Sequence, residues 1–173
     1  FDPIVDAVAS RIPRDRTGNN GRLIVELGAG TAAYLAAALD RNDDAHGIAI
    51  DLSIPATIRA ARSHVRTTAI VSDSWAPLPL ADGTVDAVLV AFAPRNLAEI
   101  ARVLRPGGRL VLASAKPAHI QELRDEYELL GIATKNTDRV SVPAEQVGMA
   151  IVEVAEVQFE MDLEPEQVAD LIL

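Results

Sequence analysis

Cysteine is absent from this 173-residue chain, which excludes disulfides and thiolate metal sites within it. Aromatics are scarce, 3% against 49% hydrophobic residues, so a core has to be built from Ala, Val, Leu and Ile. His46, His64 and His119 are scattered and form no ligand pattern. No apolar run approaches the roughly eighteen residues that cross a bilayer. Basic residues are outnumbered, 16 against 25 acids, for a net charge of −9. That balance argues against an overall electrostatic grip on nucleic acid but leaves room for a local patch. Arg11, Arg14, Arg16 and Arg22 gather early, while the stretch from Glu145 onward has acids and no Lys or Arg. Such asymmetry is the mark of solvated surface. The chain opens at Phe1 with no signal-peptide pattern, and the expectation is a cytoplasmic excerpt of a longer or trimmed protein.

What is present centres on Leu23-Ile24-Val25-Glu26-Leu27-Gly28-Ala29-Gly30-Thr31. An apolar run meets an acid, then two glycines one residue apart, then an alanine-rich helical pattern. This is the grammar of a buried parallel strand turning sharply into a helix over a bound ligand. A Cβ at Gly28 or Gly30 would hold the backbone away from that ligand. Glu26 is placed where the strand opens, with its carboxylate available to hydroxyl or ammonium donors.

The rest alternates strands with helices. An amphipathic helix is expected over Asp2–Ile12 and a polar loop over Arg14–Gly21. Strands follow at Arg22–Leu27, Gly47–Asp51, Thr67–Val71, Val85–Phe92 and Arg109–Ala113. Helices fall at Thr31–Leu39, Ile54–His64 (capped by Ser53, with Pro55 in its first turn), Leu97–Leu104, Pro117–Leu130 and Glu164–Leu171. Thr137–Val147 fits no single period. Ala150–Met161 alternates well enough for a long strand. The length suits one domain over 1–173, with 1–21 a leading helix and loop and 22–173 the core. The fold class is α/β: a doubly wound, mostly parallel sheet with helices on both faces.

Gly28-x-Gly30-x-x-Ala33 suits a dinucleotide fingerprint and an adenosylmethionine loop equally. Asp51, about twenty residues on, stands where either ligand would present ribose hydroxyls. The later segments separate the two. Glu26, Asp51, the Ser72-Asp73-Ser74-Trp75 loop, Val85–Val90 and Ala101-Arg102-Val103-Leu104-Arg105-Pro106-Gly107-Gly108-Arg109-Leu110 resemble, in order, the motifs of class I S-adenosylmethionine-dependent methyltransferases. Phe92-Ala93-Pro94-Arg95-Asn96, the Leu-Arg-Pro-Gly-Gly turn, Pro117–Leu123 and the opening Phe1-Asp2-Pro3-Ile4 resemble the large-subunit (23S) ribosomal RNA guanine-N1 methyltransferases, which include macrolide-resistance enzymes.

The resemblance implies S-adenosylmethionine as cofactor and a Rossmann-like methyltransferase fold. Phe1 would pack on the cofactor, with His119 reaching it from beyond the fifth strand. Gly28, Gly30 and Thr31 would offer backbone and hydroxyl contacts, Glu26 and Asp51 carboxylates. Asp73 would accept from the adenine amino group, with Trp75 stacked nearby, and Leu52, Ser74 and Phe92 would complete the contacts. Three departures stand out. The family's cysteine-rich zinc module is missing here, Ala32 holds the place of a third glycine, and the closing strand after Glu166–Leu173 is missing.

Phe92-Ala93-Pro94-Arg95 replaces the Asn-Pro-Pro-Tyr type of motif and offers no base, so no catalytic residue is named. Arg95 is suited to a phosphate or a guanine carbonyl. Three readings stay open: transfer to a ribosomal RNA guanine, transfer to a small molecule, or cofactor binding without catalysis. A basic rim around Arg95 and Arg105 would favour RNA as partner.

Overall fold

The computed structural model describes residues 2–13, 21–116 and 138–160. Their elements are α1 (Asp2–Ser10), β1 (Arg22–Leu27), α2 (Ala33–Asp40), β2 (Ala45–Asp51), α3 (Ile54–Ala60), β3 (Thr67–Val71), β4 (Val85–Ala91), α4 (Leu97–Val103), β5 (Leu104–Ala113) and α5 (Asp138–Gln146). The helices expected at Pro117–Leu130 and Glu164–Leu171 lie outside the described residues, as do Phe1 and His119. Among the described residues no helix is long and apolar enough to cross a membrane.

Five parallel strands form one sheet in the order β3-β2-β1-β4-β5. The order reverses between β1 and β4, and ligands in open α/β sheets bind at the carboxyl ends of strands beside such a switch point. Near-continuous apolar strands are explained by cover on both faces. Successive side chains alternate between two cores. Ile24, Ala87 and Leu89 join Val8, Leu35 and Leu39 of α1 and α2 on one face. Val25, Leu27, Val88 and Val90 join Ile100 and Val103 of α4 on the other.

Some boundaries differ from expectation. β2 begins two residues early, at Ala45, because Arg22 and Ala45 already pair. α3 stops at Ala60 and the chain turns over 61–63. The Pro106-Gly107-Gly108 segment belongs to β5, as an irregular step between the Val85–Leu104 and Ala87–Arg109 pairs. The unassigned stretch after Thr137 is helical, with Pro143 inside α5.

The long strand expected over Ala150–Met161 is not formed: residues 150–160 carry no regular structure. Alternation specifies a strand only where a neighbour supplies a ladder and a face to bury against. Here Val152 and Val154 are exposed, and the segment is held by side-chain charge instead. Glu153 accepts from the Arg11 guanidinium at 2.7 Å, and Glu156 pairs with Lys116.

Among the described residues, the early arginines Arg11 and Arg22 are taken up in ion pairs rather than gathered in a basic patch. Arg11 is paired as above, and Arg22 is buried and paired with Asp44. Arg14 and Arg16 lie outside the described residues.

Candidate cofactor site

The turn after β1 is an unusual piece of backbone. Gly28, Gly30 and Ala32 all have positive φ, at 62°, 55° and 59°. The two glycines serve different ends. A Cβ on Gly28 would lie 2.4 Å from the Ala93 Cβ, so this glycine lets the loop after β4 close against the turn. A Cβ on Gly30 would meet nothing within 4 Å. Gly30 therefore borders open space, the expected property of a ligand berth, while packing against Ala93 is by itself enough to require glycine at position 28. Ala32 has a Cβ in the left-handed region, at a cost of roughly 1–2 kcal/mol. It is the position at which the sequence departs from a third glycine.

Two carboxylates hold this turn. Asp51, the last residue of β2, accepts from the Gly30 N–H through Oδ2 at 2.8 Å and from the Ser53 N–H through Oδ1 at 2.8 Å. One side chain thus ties the glycine turn to the start of α3, where Ser53 caps the helix by accepting from Ala56. A carboxylate has about four acceptor sites, so two remain for hydroxyl donors.

Glu26 points to the face carrying α2 and is only 1% exposed. Its Oε2 accepts from the Leu35 N–H at 3.0 Å, in the first turn of α2. Ala32, the N-cap, has no side chain for that purpose, so the strand supplies the cap that the helix lacks. Burial pushes the Glu26 carboxyl up to about 8; the Leu35 N–H opposes the shift and the charge of Asp51 adds to it. Burial, with the neighbouring Glu26, also raises Tyr34.

Across the switch point lies the loop after β4. Phe92 has φ 54°, on the order of 1–3 kcal/mol of strain for a large side chain. Its N–H donates to the Ala113 carbonyl at 3.0 Å, continuing the β4–β5 ladder. Phe92 is 47% exposed and Trp75, in the loop after β3, 60%. The Asp73 carboxylate accepts from the Trp75 N–H at 2.9 Å. Asn96 joins the two loops: its Nδ2 donates to the Trp75 carbonyl at 3.0 Å, while its Oδ1 accepts from Glu99 at the start of α4. Glu99 in turn accepts from the Leu78 N–H and pairs with Arg102.

Parallel strands and a reversal of strand order beside β1 put the two carboxylates and the glycine turn at the switch point where open α/β sheets bind ligands. Residues 24–108 match the family model described as "Methyltransferase domain". The chain carries a methyltransferase domain. It is 38% identical over 141 residues to the 23S rRNA (guanine(748)-N(1))-methyltransferase of Streptomyces fradiae, covering 82% of this chain and 50% of that one. It is 32% identical over 159 residues to an uncharacterized methyltransferase of Mycobacterium tuberculosis, covering 87% and 63%. A methyltransferase solved in complex with a methyltransferase activator from Haloferax volcanii superposes with a TM-score of 0.72 at 22% identity, covering 95% and 76%. The chain spans about half the length of the first curated relatives it matches.

The methyltransferase domain brings most of the expected residues to one edge of the sheet. Glu26 lies near the end of β1, and Gly28, Gly30 and the exposed Thr31 follow it; Asp51 ends β2 and the exposed Leu52 follows; Asp73, Ser74 and Trp75 follow β3; Phe92 follows β4. Arg105 is not on this edge. It pairs at 2.7 Å with Asp86, whose other oxygen accepts from the Leu23 N–H near the start of β1, at the opposite end of the strands. Arg95 alone of that pair remains in a carboxyl-end loop. Sequence reading missed Ala93 as the partner of Gly28, the left-handed Ala32 and Phe92, and the Asn96 bridge. Of these, only Asn96 left a signal, an N-cap residue three before Glu99.

Proposed function

We propose that this domain binds S-adenosylmethionine beside Gly30 and Asp51 and transfers its methyl group to N1 of a guanine in large-subunit ribosomal RNA. The observation that carries the cofactor reading is the contrast at the turn: Gly30 faces open space while Asp51 grips its N–H and keeps acceptor capacity. Asp51 would take the ribose hydroxyls, and Asp73 and Ser74 the adenine; Leu52 and Trp75 would pack on the ring, while the buried Glu26 would hold the start of α2 beside the berth. Phe1 and His119 are proposed contacts on sequence resemblance. When bound, the cofactor supplies an electrophilic methyl on sulfur. The protein's share is alignment and exclusion of water. The likeness to the Streptomyces guanine-N1 enzyme supports the acceptor, and a base in folded RNA has to be unstacked to be reached. The net charge of −9 favours a second reading, a small-molecule acceptor.

The test is calorimetry with S-adenosylmethionine and NAD, then tritiated methyl transfer to an unmodified 23S rRNA transcript with the product mapped by nuclease digestion. About micromolar adenosylmethionine affinity and one labelled guanine are expected. Preference for NAD overturns the cofactor reading. Binding without transfer to RNA overturns the acceptor, and transfer to a small-molecule extract then favours the second reading.

A further inference from the structure

We propose that the outer edge of β3, with the flank of α3 beside it, is the surface on which a second copy of this chain docks. The two edges of the sheet are built differently. At β5 the strand carries Pro106, which has no N–H to donate, an irregular step in its ladder, and Arg105 and Arg109. Such features keep an edge from pairing with a further strand. Thr67-Thr68-Ala69-Ile70-Val71 of β3 has no proline, no charge and no register shift, and every residue but Ala69 is β-branched. Among the described residues it pairs only with β2. The Arg66 carbonyl accepts from the Gly47 N–H and the Ser72 N–H donates to the Asp51 carbonyl, so the even-numbered residues bond inward. Ala69 and Val71 therefore turn their N–H and C=O groups outward.

The helix beside this edge completes the surface. Thr57 and Ala60 are buried against the sheet, while Ile54 and Ile58 are 62% and 52% exposed. These two stand about a quarter to a third of a turn round from the buried pair. The β2–α3–β3 connection follows the right-handed crossover rule, which carries that flank of a right-handed helix toward β3 and past it. A docking strand alone would leave both isoleucines in water, whereas a second copy brings its own α3 to cover them. Antiparallel pairing about a two-fold axis at Ile70 sets Ala69 opposite Val71 of the other copy, each pair exchanging two hydrogen bonds. A crossover helix lies over the gap between its strands, half a strand spacing inside the edge. Two halves and one full spacing put the two α3 axes about 10 Å apart, the distance at which helices pack. Val71 is level with Asp51, and α3 runs back from there. Ile54 to Ile58 spans about 6 Å, close to the rise from Val71 to Ala69. Ile54 of one copy therefore meets Ile58 of the other. Neither these positions nor β3 carries charge, so two chains of net charge −9 meet here without opposing acids; the next acid, Asp73, falls level with the neutral Thr67.

The experiment is sedimentation velocity on the chain from about 1 to 200 μM, with hydrogen exchange at the Ala69 and Val71 amides measured at both ends of that range. A monomer–dimer equilibrium is expected, with exchange at those two amides slowed at high concentration. Ile58→Glu and Ile54→Lys should each raise the dimer dissociation constant by about tenfold or more. Val152→Lys, at an exposed valine away from this surface, should leave it unchanged. Mixing the glutamate and lysine variants should restore the dimer, because a heterodimer sets opposite charges together at one contact and two isoleucines together at the other. A monomer at every concentration overturns the proposal. So does a dimer that both variants leave intact, or one that gives no protection at Ala69 and Val71. Dissociation in both variants without recovery on mixing overturns the antiparallel register. The exchange readout uses wild type alone and stands even if a variant folds poorly.

Discussion

The turn after β1 and the loop after β4 meet at Gly28 and Ala93, yet they are secured by different means. The turn is held by carboxyl groups: the Asp51 carboxylate accepts from the backbone N–H groups of Gly30 and Ser53, and the buried Glu26, its pKa raised, accepts from Leu35. The loop is held by neutral contacts, the Phe92–Ala113 bond and the Asn96 bridge, and carries its strain at Phe92. Charge-assisted hydrogen bonds fix a turn strongly, which suits a wall that must keep its shape. Neutral contacts around a strained aromatic suit a wall that presents a surface to something arriving from solution.

The widest gap between the two regions should appear on replacing the glycines. Gly28→Val adds a collision with Ala93 to a left-handed φ and should cost about 3 kcal/mol or more in urea unfolding. Gly30→Val should cost roughly 1–2 kcal/mol yet abolish adenosylmethionine binding by calorimetry. Equal destabilisation by both would erase the distinction between packing glycine and ligand glycine. Next, Asp51→Ala should weaken adenosylmethionine by about tenfold or more, since bonds to a charged acceptor are worth roughly 1.5–3 kcal/mol each; affinity within twofold of wild type would remove Asp51 from the site.

A graded effect is expected from Glu26. Its folded pKa of about 8 lies above the ordinary 4.5, so between those values the folded state holds more protons than the unfolded one. Stability should therefore fall as pH rises from about 4.5 to 8, by up to about 1.4 kcal/mol per pH unit. Glu26→Gln should flatten that fall in melts taken across the range; an unchanged slope would show that another group titrates. The smallest effect is reserved for Ala32→Gly, which relieves a left-handed Cβ and should raise stability by about 0.5–1 kcal/mol after the extra freedom of the unfolded chain is counted.

Legibility followed locality. Strands β1, β3 and β4 were readable because runs such as Val85–Ala91 are apolar on both faces and bounded by polar turns. Ser53 was readable as a cap because a cap is a relation between residues three apart; Asn96 carries the same local signal, which the sequence reading left unused. The purpose of Gly28 was not, because it depends on Ala93, sixty-odd positions away and known only once β1 and β4 pair. Residues 150–160 misled for the same reason: their alternation is genuine, but whether it becomes a strand depends on an edge to join, which no local pattern encodes. Arg105 looked like a rim residue by proximity in sequence, and the length of β5 carried it to the far end.

Asp51 answers to two masters. A protein engineer seeking to admit an altered sugar would reach first for this residue, since it is the acid proposed to take the ribose hydroxyls. Any such edit would also unfasten the Gly30 amide and the Ser53 amide together, so a specificity change there arrives with a slackened hinge between β1 and α3. Redesign of the sugar contact therefore has to begin with a substitute fastening for those two amides.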